Sequence, residues 1–286
     1  MTNGTFFSAV SHLSDEQWFG MLLQSVDTPV VSGVPLPRFP HEELQRTFVG
    51  SAGKQTLTES YTFFRAVKNS LAQIGKPLAA GTRILDFGCG WGRVIRFFSK
   101  DVLSDHLYGV DVDPTVIDIC RASGLRGTFE GIRTFPPLRF EKNSFDLVFA
   151  YSVFSHLNEE THLSWLAEFH RVLRPSGVCI VTTQGRSFID LCENIRKQSE
   201  VTNGWHQALA RSFVDVRAAY MAYDAGSFLH SPTGGGDFRD STFYGETLIP
   251  RQYIERVWSK YFNLREFVDD RNFMPQAYIV VQKPSN

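Results

Sequence analysis

Three glycines at alternate positions, Gly88, Gly90 and Gly92, follow an acidic residue in the run Ile84-Leu85-Asp86-Phe87-Gly88-Cys89-Gly90-Trp91-Gly92-Arg93. A glycine-rich turn between an apolar strand and a helix lets the backbone pack against a ligand. It also presents amide N–H groups at the positive end of the helix. A pyrophosphate-cradling GxGxxG turn needs a third glycine where this chain has Arg93, so the spacing argues against that use. A second carboxylate, Asp111, ends another apolar run 25 positions after Asp86. At the carboxyl end of a strand it can accept hydrogen bonds from both hydroxyls of a ribose, and the alternative is a plain turn carboxylate.

For proton transfer the chain offers His156, in Tyr151-Ser152-Val153-Phe154-Ser155-His156 just beyond the apolar run Phe145 to Ala150. An imidazole is suited to take a proton from a hydroxyl or ammonium group, and the alternative role for His156 is packing at the start of the next helix. Tyr151 suits a wall or a group that orients an acceptor. His206, His230, Asp237, Tyr244 and Glu246 are scattered further on, with no metal-ligand spacing, so no metal is expected.

The elements that must hold these residues alternate between strand and helix. Arg83 to Phe87, His106 to Asp111, a weaker segment within Gly127 to Phe140, Phe145 to Ala150 and Val178 to Thr183 read as strands. Between them lie a helix through Val94, Ile95, Phe97 and Phe98, a helix opened by Asp113-Pro114, and one capped by Asn158. Phe262 to Val268 and Gln276 to Gln282 add two late strands that can form an antiparallel edge. The expected fold is α/β, a doubly wound, mostly parallel seven-stranded sheet with an antiparallel terminal strand. Residues 1–80 form an N-terminal helical cap, in which Leu57, Tyr61, Phe64, Val67, Leu71 and Ile74 share a helical face ended by Gly75 and Pro77. Residues 81–286 form the main domain, with an insertion or lid at about 185–247.

At this point the chain resembles the class I S-adenosylmethionine-dependent methyltransferases, whose first motif runs D/E-x-G-x-G-x-G. Asp86, Gly88, Gly90 and Gly92 occupy those places, Asp111 ends the second strand, and Ser144 to Ala150 and Arg171 to Val178 match two later blocks. The resemblance covers roughly residues 81–184 and the two closing strands. It implies S-adenosyl-L-methionine as cofactor, with the three glycines allowing its close approach and Cys89, Arg93 and Val112 beside them. Asp111 would hold the ribose, and Asp86 would orient the loop or meet the methionyl ammonium. Adenine would contact Glu130 or backbone groups of Gly131 and Ile132, Arg93 would cap a phosphate or form a structural salt bridge, and Tyr61 is a further candidate cap over the cofactor.

The implied activity is methyl transfer to an O or N atom of a small, natural-product or sugar-type acceptor, with His156 as candidate base. The alternatives are a protein or RNA methyltransferase, a noncatalytic cofactor-binding protein, or a nucleotide-dependent oxidoreductase. Against RNA stands the charge balance: 29 Lys+Arg against 30 Asp+Glu leaves a formal net charge of −1, without the excess of positive charge that nucleic-acid or anionic-membrane surfaces require. Four dispersed cysteines without a CxxC pair, and no apolar run near the ~18–20 residues that span a bilayer, lead to the expectation of a cytoplasmic protein. The 25 phenylalanines suggest an aromatic-lined pocket or cap.

Overall fold

The structure, a computed structural model, describes residues 2–198 and 204–285. It divides into two compact units, residues 1–133 with 144–151, and residues 134–143 with 152–286. The first unit opens with α1 (Asn3–Val10), α2 (Asp15–Ser25), a short hairpin of β1 (Val30–Val31) and β2 (Val34–Pro35), α3 (Glu42–Val49) and α4 (Gly53–Gln73). Only the last of these helices shows in the apolar periodicity. Helix α2 forms because Ser14 and Gln17 cap it reciprocally and Trp18 and Leu22 bury one face, a pattern too short to stand out in sequence.

Strands β3 (Ile84–Phe87), β4 (Leu107–Asp111), β5 (Thr128–Gly131) and β6 (Phe145–Ala150) complete this unit, with α5 (Pro114–Ala122) between β4 and β5. β3 pairs in parallel with both β4 and β6, and β4 with β5. β3 is buried along its whole length, as a central strand of a sheet covered on both faces must be. Asp113 caps α5 by accepting from the Thr115 N–H, with Pro114 at the first helical position.

One expectation fails here. The segment after the glycine turn is not an α-helix but a turn followed by a 3₁₀ helix, Ile95–Lys100, buried throughout. Five of the phenylalanines are core residues. Phe63, Phe64, Phe97, Phe98 and Phe149 pack on one another in the core at centroid separations of 5.1–5.8 Å.

The second unit contains α6 (Glu159–Val172), β7 (Leu173–Thr183), α7 (Phe188–Arg196), α8 (Gly204–Arg211), α9 (Val216–Asp224), β8 (Leu229–Ser231), β9 (Glu246–Leu248), α10 (Arg251–Val257), β10 (Asn263–Val268) and β11 (Ala277–Gln282). Asn158 caps α6 through the Thr161 N–H. β7 starts at Leu173, earlier than expected, because Gln282 and Lys283 provide partners for its first residues. The seven long strands form a sheet in the order β10-β11-β7-β6-β3-β4-β5, in which β11 runs antiparallel to both its neighbours. The segment at 185–247 folds as three helices and the hairpin β8/β9, apart from residues 199–203, which lie outside the described residues. Among the described residues, no helix is long and apolar enough to cross a membrane.

Candidate active site

The glycine turn is tied down by its own amides. The N–H groups of Gly88 and Cys89 both donate to the Val110 carbonyl (2.8 and 3.0 Å), Gly90 N–H donates to Asp111 Oδ2 (2.9 Å), and Gly92 N–H donates to the Cys89 carbonyl (2.9 Å). These four donors are therefore engaged within the protein rather than presented to a ligand, and no α-helix follows to add a macrodipole. The expectation of exposed amides is corrected, and a pyrophosphate cradle loses its physical basis.

All three glycines adopt left-handed backbone, with φ of 72° at Gly88, 51° at Gly90 and 77° at Gly92, a region that disfavours a Cβ. Their surroundings differ. A Cβ on Gly92 would sit 2.7 Å from Leu125 Cδ1, so this glycine serves internal packing rather than ligand approach. A Cβ on Gly90 would meet no protein atom within 4 Å, and the same holds for Gly131. Cys89 turns its thiol inward, against the Cβ-less surface of Gly109, which leaves only its backbone for a ligand.

Asp111 accepts the Gly90 N–H on one carboxylate oxygen and the Asp113 N–H on the other (3.0 Å). A carboxylate offers about four lone-pair positions, more than the two that these N–H groups use. Gly131 pairs with Asp111 across β4 and β5, and Val112 follows it, half-buried. The Ile132 N–H is already bound to the Asp111 carbonyl (2.9 Å), which leaves the Glu130 side chain, half-buried on β5, and backbone groups of Gly131 as candidates for the adenine contact.

Beside the turn lies a buried charge cluster. Asp86 is 2% exposed; the Ile95 N–H binds its carboxylate, and Oδ2 has no partner among the described residues. Burial, and then the Asp111 charge, push its carboxyl well above the usual range, against the pull of Arg93. Arg93 lies 3.8 Å from Glu59 and stacks its guanidinium 4.7 Å above the Tyr151 ring. Tyr151 in turn stacks on Phe63 at 4.5 Å.

Glu59 and Phe63 stand four residues apart on α4 and share a face; Tyr61, about 200° around the helix from Glu59, does not. Instead it stacks on Phe19 at 4.1 Å with its hydroxyl near Arg65 and Glu16. Tyr61 is thereby placed in the packing of α2 against α4. Sequence reading missed Glu59, whose only signal is the i, i+4 spacing to Phe63.

In the second unit the loop after β6 runs against β9. Gly245 N–H donates to the His156 carbonyl (2.7 Å), Thr247 N–H to the Ser155 carbonyl (2.8 Å), and the His156 ring stacks on Tyr244 at 4.7 Å. His156 Nδ1 lies 2.8 Å from the Gly245 carbonyl oxygen. A carbonyl can only accept, so Nδ1 carries the proton and, in the neutral ring, Nε2 carries the lone pair. Glu246, 1% exposed, sits 3.7 Å from the same Nδ1 and accepts from Gln184 Nε2 and Trp205 Nε1 (both 3.0 Å). His230 joins through Thr247 Oγ1 (2.8 Å), and burial, then His156, lower its proton affinity. Of the scattered polar residues, His230, Tyr244 and Glu246 thus gather at His156; Asp237 is exposed, and His206 contacts Trp205. Among the described residues, no three His, Cys, Asp or Glu side chains are placed to hold a metal ion.

Residues 84–177, about a third of the chain, match the family model described as a methyltransferase domain. That stretch contains the glycine turn, Asp111 and the β6 loop. Residues 84–177 are a methyltransferase domain.

Among curated proteins, the domain is similar to the ribosomal protein L11 methyltransferase of Thermotoga neapolitana (25% identical, 46% of this chain and 46% of that protein). It is also similar to the cyclopropane-fatty-acyl-phospholipid synthase of Escherichia coli K12 (26% identical, 40% of this chain and 29% of that protein). The matched region is thus less than half the length of either relative. Among solved structures, an S-adenosylmethionine-dependent methyltransferase from Mesorhizobium loti shares the fold, with a TM-score of 0.53 at 15% identity over 78% of this chain and 98% of that one.

The residues present fit the cofactor that this domain class uses. The buried Asp86 oxygen, without a partner among the described residues, suits an ammonium donor, and the open side of Gly90 leaves room for a close approach.

Proposed function

We propose that this methyltransferase domain acts on an oxygen or nitrogen atom of a small-molecule acceptor, natural-product or sugar-type, with His156 as general base. S-adenosylmethionine, when bound, supplies an electrophilic methyl carbon for in-line displacement. Asp111 holds the ribose hydroxyls, Asp86 receives the methionyl ammonium, and Gly90 and Gly131 leave space along the ligand. Val112 and the Cys89 backbone flank it, and Tyr151, braced by Phe63 and Arg93, forms a wall.

The single observation that carries the base assignment is the hydrogen bond of His156 Nδ1–H to the Gly245 carbonyl, which leaves Nε2 as the proton acceptor. His156 stands six residues beyond Ala150, the end of β6, and β6 pairs in parallel with β3, which leads into the glycine turn. Ligands of open α/β sheets bind outside the carboxyl ends of such strands. When Nε2 takes the acceptor's proton, the Gly245 carbonyl and the Glu246 carboxylate stabilise the resulting imidazolium. Glu246, held by Trp205, belongs to this cluster.

A small acceptor is supported by the balanced charge, which disfavours a nucleic acid. The relatives' names, one referring to a ribosomal protein and one to a phospholipid, point to different acceptors and favour neither here. The test is transfer of label from [methyl-³H]S-adenosylmethionine to the fraction below 1 kDa of a bacterial lysate, run beside the protein and RNA fractions. Label in the small-molecule fraction, abolished by Asp111→Ala, supports the proposal; label only in protein or RNA replaces the acceptor class, and calorimetric binding of NAD but not S-adenosylhomocysteine removes the methyl-transfer assignment.

A further inference from the structure

Immediately after β6, Ser152 has a left-handed backbone, φ 62°, although it is not glycine. For a residue with a Cβ that conformation is disfavoured, so something must hold it there. A closed ring of hydrogen bonds does. Ser152 N–H donates to Thr182 Oγ1 (2.8 Å), Thr182 Oγ1–H donates to Gln276 Oε1 (2.6 Å), and Gln276 Nε2–H donates to Ser152 Oγ (3.0 Å).

The direction of the ring follows from burial. Thr182 has no exposed surface, and with the Gln276 amide reversed its hydroxyl proton would have no acceptor in a site closed to water. The amide therefore points its oxygen at Thr182 and its nitrogen at Ser152. The three donors that close the ring are then satisfied, and the Ser152 hydroxyl proton, on a half-buried group next to Tyr151 in sequence, has no acceptor among the described residues. Glycine would adopt this backbone without strain. What the serine side chain adds is one oriented O–H, its oxygen fixed by Gln276 and its proton free to point away from the ring.

We propose that Ser152 Oγ–H is a donor to the methyl acceptor, gripping a lone pair of one of its oxygens. The acceptor class is thereby narrowed to molecules that carry a second oxygen, as carbonyl, carboxylate, ether or hydroxyl, near the hydroxyl or amine to be methylated. Thr182, on β7, and Gln276, in the turn before β11, are positioning residues that hold the donor. This inference rests on the methyl-transfer proposal above, with Ser152 as a binding group and His156 as the base.

The discriminating variant is Ser152→Gly, because it removes the hydroxyl while relieving the backbone, so that folding is preserved. Rates are measured with [methyl-³H]S-adenosylmethionine and increasing amounts of the lysate fraction below 1 kDa. The expected result is a rise of about tenfold in the amount of fraction giving half-maximal rate, with the limiting rate within about threefold, as loss of one substrate hydrogen bond predicts. Calorimetric affinity for S-adenosylhomocysteine stays within twofold. Ser152→Ala, which retains a Cβ, shows the same loss. Unchanged half-saturation in Ser152→Gly overturns the assignment, as does a loss in Ser152→Ala that Ser152→Gly restores, since strain rather than the hydroxyl would then be responsible. A wild-type protein that binds S-adenosylhomocysteine yet labels nothing below 1 kDa overturns the small-acceptor proposal itself, and this inference with it.

Discussion

Gly90 and Gly92 stand two residues apart in the same turn, and alanine at each should produce opposite phenotypes. Both have left-handed φ, so both variants lose on the order of 1–2 kcal/mol of stability from the backbone alone. At Gly92 the new methyl also lies 2.7 Å from Leu125 Cδ1 and 3.5 Å from Cys120 Sγ, and overpacking of that kind adds about 1–3 kcal/mol. At Gly90 the methyl meets no protein atom and projects into open space. Gly92→Ala should therefore lower the melting temperature by roughly 4–10 °C, taking about 2 °C per kcal/mol for a chain of this size, while the folded fraction binds S-adenosylhomocysteine normally. Gly90→Ala should lower it by only about 2–4 °C but weaken S-adenosylhomocysteine about 10- to 100-fold, because the methyl occupies ligand space. Scanning fluorimetry and titration calorimetry on the two variants provide the comparison. Equal loss of affinity in both, or an unaffected affinity in Gly90→Ala, would refute the division of the turn into a packing glycine and a ligand-facing one.

Replacing His156 by alanine should slow turnover about 10²- to 10⁴-fold with S-adenosylhomocysteine affinity retained; an unchanged limiting rate would leave His156 a packing role only. Asp111→Asn keeps the shape but turns an NH₂ towards one of the two backbone N–H groups, so affinity should fall at least tenfold and the melting temperature should fall with it, both read in one calorimetry and fluorimetry series. His162 has no exposed surface, its Nε2 accepts from Trp258 Nε1 (3.2 Å), and burial lowers its pKa from 6.5 to about 3. The unfolded chain therefore binds a proton that the folded one refuses, so stability is full above pH 6.5 and declines as pH falls towards 3. At pH 4.5 this group alone should remove about 2.5–3 kcal/mol, visible as a lower urea midpoint that His162→Phe makes less steep in pH; identical pH slopes in the two proteins would assign the acid sensitivity elsewhere.

Much of this protein is legible along the chain because the signals are local. Buried parallel strands read as short apolar runs, caps such as Asp113 and Asn158 are adjacent to the helices they start, and alternate glycines after Asp86 mark a tight turn whatever surrounds it. What the chain order could not show is which partner each side chain meets. Gly90 and Gly92 look equivalent in sequence, and only Leu125, 33 residues beyond Gly92, separates their roles. The amides of the turn appear available until Val110 and Asp111 are folded against them. Tyr61 was a candidate cap, yet the helix face selects Glu59 and Phe63 instead, because two residues of α-helix rotate a side chain about 200° away. His156 is visible as an imidazole, but its tautomer depends on a carbonyl 89 positions later, and the one free proton of Ser152 emerges only after Thr182 and Gln276 close their ring. Periodicity and capping depend on near neighbours and are written in order, whereas hydrogen-bond direction and close packing depend on atoms that chain folding alone brings within 3 Å.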